Sequence, residues 1–150
     1  MSKAFTSEET PDEGPLVRPP PRLAPGEVRY VTPEGQANLR TLLARLRAEG
    51  DPRAAQVEAT LAVLTVLGPE RAPEGRAGFG TWVTVREAGC EPVTWRIVGS
   101  DEADPRLGRV SAHSPVGRAL IGAGAGDLVE VDRPGGRLEL EVLAVNRRAP

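Results

Sequence analysis

The chain has 150 residues, of which 27% are charged and 39% hydrophobic, with a formal net charge of -2. This length holds one domain with a small appendage, and the charge balance excludes the strong basic surplus of a bulk duplex nucleic-acid binder. The single cysteine, Cys90, excludes an intrachain disulfide and a cysteine-rich zinc site. Aromatic residues at 3% argue against stacking platforms for single-stranded nucleic acid. Met1 to Thr10 is polar and charged, and no apolar run approaches the ~18 residues of a membrane span. The expectation is a reduced, soluble, cytoplasmic protein without a membrane partner.

Residues 1–30 read as a leader. Prolines cluster between Pro11 and Pro25, including Pro19-Pro20-Pro21, behind acidic Glu8, Glu9, Asp12 and Glu13. Few large apolar groups offset the entropy of ordering, so a disordered or polyproline-II-like tail is expected.

Residues 31–68 read as a short antiparallel helical hairpin. Thr32 is placed to cap a helix, and Pro33 suits its first position because the missing N–H costs nothing there. Leu39, Leu42, Leu43 and Leu46 repeat at i, i+3, i+4 and i+7, an apolar stripe. Asp51-Pro52 repeats the cap-then-proline signal; Val57, Leu61 and Leu64 carry the second stripe, Val66 and Leu67 lie near its end, and Gly68-Pro69 terminates it. Each helix is expected to be about 15 residues, about 23 Å long. Glu49 and Asp51 stand at the tip. Asp51 is read first as an N-cap. A lone tip carboxylate makes a poor Mg²⁺ site, so no metal site is assigned.

After a linker at residues 69–77, residues 78–146 alternate as strands. Thr81 to Glu87, Thr94 to Val98, Arg109 to His113, Leu128 to Asp132 and Leu138 to Val145 are the predicted strands. Ser114-Pro115 starts a two-turn helix packed through Val116, Leu120 and Ile121 and ended by Gly122. Five short strands and one small helix predict an α+β domain with a twisted antiparallel sheet.

Catalytic chemistry finds no support in these residues. His113 is the only histidine. Ser114 beside it is a helix cap, since neighbours on a strand point to opposite faces. The glycines of Gly122 to Gly126 follow a helix and precede a strand, the reverse of a phosphate loop. Asp101, Glu102 and Asp104 form an acidic turn suited to a basic partner. No catalytic residue and no cofactor is assigned.

Certain runs carry a resemblance. They are Gly78-Phe79-Gly80, Thr81 to Val85, Trp95 to Gly99, Asp101 to Asp104, Ser114 to Gly122, Gly126-Asp127 and Pro134-Gly135-Gly136. In order and spacing they resemble the C-terminal domain of the bacterial GreA/GreB transcript-cleavage factors. Tyr30 to Gly35 resembles the start of that family's coiled coil, and Met1 to Thr6 is similar to the start of some GreB-type members. The resemblance implies an FKBP-like C-terminal fold that docks on core RNA polymerase at the rim of the secondary channel. Asp101, Glu102, Asp104, Ser114, Pro115, Val116 and Ala119 are the implied docking residues. It also implies a hairpin whose tip carboxylates help hold Mg²⁺ in the polymerase active site.

The chain departs from that pattern twice. Its hairpin is about two heptads shorter per helix, a loss of about 20 Å of reach. The family tip reads Gly-Asp-x-x-Glu-Asn. Here Gly50-Asp51 matches, while Ala54 and Ala55 replace the last two. The short hairpin is similar to that of the Rnk group. The expectation is therefore a non-catalytic RNA polymerase-binding regulator of elongation that does not stimulate cleavage and reads no nucleic-acid sequence directly. Two alternatives stand: an active cleavage factor using Glu49 and Asp51, and a peptide-binding FKBP-like module. The aromatic pocket expected of the latter is missing, because the domain has only Phe79, Trp82 and Trp95.

Overall fold

A computed structural model describes residues 17–150. Expectations for Met1 to Leu16, including the start of the leader, lie outside the described residues. The chain divides into two compact units. One holds Asn38–Val63 with the described residues up to Arg22, and the other holds Leu23–Ala37 and Leu64–Pro150.

In the first unit the chain forms most of helix α1 (Pro33–Ala48) and helix α2 (Ala54–Val63). The leucine stripe of α1 does what its spacing predicts. Leu43 and Leu46 are buried with Val57 of α2, and Leu39, Leu42, Ala54 and Leu61 pack around them. The reversal between the helices is tight. Gly50 sits at φ +66°, a conformation open to glycine because it lacks Cβ. The Asp51 N–H then donates back to the Leu46 carbonyl at 2.9 Å, which closes the helix end.

The second helix is shorter than its apolar spacing suggests. It has 10 residues against 16 in α1, about 15 Å against about 24 Å. Leu64–Val66 leaves the helix as strand β2 and pairs in parallel with β1 (Arg29–Val31). Leu64 continues the helical spacing of Val57 and Leu61, but the backbone bonds of Leu64–Val66 go to a partner strand far away in sequence. Thr65 and Val66 are β-branched and suit that outcome.

The second unit is built on a five-stranded sheet. Its strands are β3 (Trp82–Glu87), β4 (Val93–Val98), β5 (Arg109–Ser111), β6 (Leu128–Arg133) and β7 (Gly136–Asn146). The spatial order is β5-β4-β3-β7-β6. Helix α3 (Pro115–Leu120) lies between β5 and β6 in sequence. The class is α+β, with a helical hairpin and a sheet carrying few helices. The sheet is mixed rather than wholly antiparallel, because β5 pairs in parallel with β4. A parallel neighbour needs a crossover. The segment after β4 supplies it through a short 3-10 turn, Pro105–Leu107, that ends on Gly108 at φ +70°. Ala77, Val83, Val85, Ile97, Leu120, Ala123, Val131, Leu138, Leu140 and Val142 form the core of this unit. Alternating side chains of β3 and β7 face it, as the period of two requires.

Candidate functional site

The segment from Gly99 to Gly122 gathers the predicted docking residues, and the structure shows what each side chain holds. Asp101 is almost fully covered, with 6% of its side chain exposed, and takes a 2.8 Å bond from Arg29 Nε. Glu102 accepts from the Thr32 N–H at 2.8 Å, from the Thr32 hydroxyl, and from the Gly99 N–H at 3.2 Å. Thr32 in turn caps α1, its Oγ1 accepting from the Gly35 N–H at 3.0 Å. Asp104 caps the 3-10 turn by accepting from the Arg106 N–H at 3.0 Å, and the Arg106 guanidinium pairs with its carboxylate. That hydrogen bond holds the Asp104 carboxyl below the usual aspartate range, against partial desolvation, and pushes the Arg106 guanidinium up. The three carboxylates therefore shape the turn and fasten it to β1 and the first turn of α1.

A second polar cluster was not legible as a site. Arg96 on β4 is buried, donates to the Gly80 carbonyl at 3.0 Å and pairs with Glu34 of α1 at 2.9 Å. Its guanidinium lies over Trp82, 4.0 Å from the ring centroid, a stacked cation geometry. Burial pushes the Glu34 carboxyl up, but the Arg96 hydrogen bond, a bond from Glu34's own backbone N–H and the Arg96 charge together more than offset it, and the net displacement is downward. The available signal was an arginine inside the apolar run Trp95-Arg96-Ile97-Val98. An unpaired charge there would be costly to bury.

Helix α3 starts as its cap predicts. Ser114 Oγ accepts from the Gly117 N–H at 3.0 Å and donates to the Ser111 carbonyl at 2.7 Å. Both its donor and an acceptor position are committed, which suits a cap and not a nucleophile. Gly117 is required by close approach: a Cβ there would meet the Ser111 oxygen at 2.0 Å. Pro115 is exposed, and Val116 and Ala119 are half-buried. Two apolar side chains at the ends of this region escaped the sequence reading, Leu107 at 62% and Ile121 at 47% exposure. The signal for Leu107 was an apolar residue in an otherwise charged turn. The spacing predicts Ile121 on the packing side of α3, but it ends the helix largely exposed.

At the hairpin tip Glu49 is exposed. Asp51 accepts from the Arg53 N–H at 2.9 Å, and Arg53 Nη2 reaches its other oxygen at 2.7 Å. The side-chain bond from Arg53 is the main reason the Asp51 carboxyl falls to about 2. Among the described residues no three His, Cys, Asp or Glu side chains gather as a metal site. The rings of the peptide-binding alternative are engaged internally: Trp82 lies under Arg96, and Phe79 lies 6.0 Å from Tyr30.

These elements define an α+β chain with a helical hairpin, a mixed five-stranded sheet and one small capped helix beside a braced acidic turn. Residues 72–147 match the family model described as transcription elongation factor, GreA/GreB, C-terminal. A GreA from Chelativorans is 36% identical over 138 residues, covering 79% of this chain and 88% of that one. The chain belongs to the GreA/GreB family of transcription elongation factors. A GreA from Neisseria meningitidis serogroup A is 42% identical over 95 residues, or 62% of this chain. The match spans 60% of that relative's length. A solved GreA/GreB factor from Nitrosomonas europaea is 28% identical, with a TM-score of 0.44 over 79% of this chain and 98% of that one.

Proposed function

We propose that the protein is an RNA polymerase-binding regulator of transcription elongation that does not itself stimulate transcript cleavage. Membership of the GreA/GreB family supports the partner. It acts in the cytoplasm, where that partner is found. Among the described residues no helix is long and apolar enough to cross a membrane.

The observation that carries the second half is the hairpin tip. The tip carboxylate aligned with the family pattern, Asp51, is held on both oxygens by Arg53. Ala54 and Ala55 follow where the resemblance implies a glutamate and an asparagine. A Mg²⁺ ion shared with polymerase needs free carboxylate oxygens beyond its water shell, and this tip offers few. The hairpin is also short, since α2 extends only about 15 Å.

Docking falls to the second unit. Pro115, Val116 and Ala119 offer the contact face, extended by Leu107 and Ile121. Asp101, Glu102 and Asp104 serve docking by holding the turn in shape, and Ser114 by starting α3. The test is binding of the purified chain to core polymerase, with Val116→Asp and Ala119→Asp as variants. Retained binding in both variants would remove α3 from the docking face. No binding by the unmodified chain would overturn the reading.

A further inference from the structure

We propose that the apolar face of the α1–α2 hairpin is a docking groove for a polyproline-II segment, and that its occupant is the chain's own Val17–Arg22.

Val17 packs against the buried cluster of Leu43, Leu46 and Val57. This segment belongs to the same compact unit as Asn38–Val63. The burial sequence supplies the conformation. Val17, Arg18, Pro20 and Pro21 are half-buried, while Pro19 and Arg22 are exposed. A solvent-facing position every third residue is the period of polyproline II, which has three residues per turn and no internal hydrogen bonds. The run Pro19-Pro20-Pro21 suits that helix, because proline fixes φ near its value. Leu42 packs on the same cluster as Val17.

The hairpin needs such a cover. Among the described residues only Leu43, Leu46 and Val57 are buried in its cluster, and two short helices gain little from propensity alone. A groove without aromatic rings holds polyproline weakly between separate molecules. Within one chain the effective concentration is on the order of millimolar, so weak contacts suffice. Pre-formed polyproline loses little entropy on docking. The strap thus supplies packing that further heptads would supply in a longer coiled coil. Anything that draws the leader away loosens the hairpin, so the state of the leader sets the order of the tip. The assignment rests on packing and is independent of polymerase binding.

The test is hydrogen exchange on the full chain with Val17→Asp, Pro20→Ser and Pro19→Ser. The first two are expected to speed exchange through residues 39–63 by about tenfold, with Pro19→Ser within about twofold of the unmodified chain. Exchange in β3 and β7 reports whether a variant has unfolded altogether. Methyl NOEs from Val17 to Leu43, Leu46 or Val57 in the unmodified chain test the same packing without any substitution, and they are expected. Equal effects from all three variants, no effect from any, or absence of those NOEs would overturn the proposal.

Discussion

Glu102 shows how an acidic residue in an exposed-looking turn serves structure. Three hydrogen bonds converge on its carboxylate, two from Thr32 and one from the Gly99 N–H. Glu102→Gln replaces an acceptor-only group with an amide that presents an NH₂, so it leaves at least one donor unmatched. The expected loss is about 1–3 kcal/mol in chemical denaturation. Gly117→Ala is expected to cost about 1–3 kcal/mol, because the Ser111 carbonyl it would meet is backbone and cannot swing aside. Gly135→Ala is the control: nothing lies within 4 Å of its Cβ position, and its effect should stay within about 0.5 kcal/mol. At the tip, Arg53→Ala removes the main cause of the low Asp51 carboxyl, which should rise from about 2 toward 3.8 in an NMR titration. The pH dependence has a definite sign. Asp51, Asp104 and Glu34 all bind protons less readily folded than unfolded, so acid favours the unfolded chain. Their contribution is full above the ordinary glutamate value of 4.5 and drains as the pH falls, for Asp51 down to about 2. Thermal unfolding midpoints at stepped pH should be flat above that window, as far as these carboxyls are concerned, and fall within it.

Local patterns carried most of the elements. Thr32 and Ser114 cap helices as their sequence context predicts, because a cap is decided by residues three positions apart. The strands around Val83, Ile97, Val131 and Leu140 follow from period-two alternation. What stayed hidden depends on distant partners. Leu64 keeps the helical spacing of Val57 and Leu61, yet Leu64–Val66 becomes a strand paired with Arg29–Val31. The parallel seat of β5 turns on the crossover through Gly108, which apolar spacing does not encode. The proposed docking residues were half legible. Ser114, Pro115 and Val116 announce a capped helix, but nothing local says that Asp101 meets Arg29, seventy-two residues away. In the hairpin, Leu46 is fully buried in a cluster with few other members. Leu46→Ala should therefore cost about 2–5 kcal/mol, read as a lower helical-signal midpoint on heating. Retention of the midpoint would show that the leucine stripe does not hold the two helices together.

At the level of the molecule, family membership and the local chemistry point in different directions along the chain. Residues 72–147 carry the family pattern, and their polar groups are spent on holding one turn and one small helix in place. The hairpin tip carries a bound-up aspartate followed by Ala54 and Ala55, and the second helix is short. On the proposed reading, a factor built this way occupies a site on polymerase without lending it a metal ligand. The most direct measurement places a saturating amount of the protein on a backtracked elongation complex with Mg²⁺ and follows both its co-migration with polymerase and the length of the RNA. The account predicts that the protein stays with the complex and that RNA shortening proceeds at the rate seen without it. Accelerated shortening, or failure to bind at all, would contradict it.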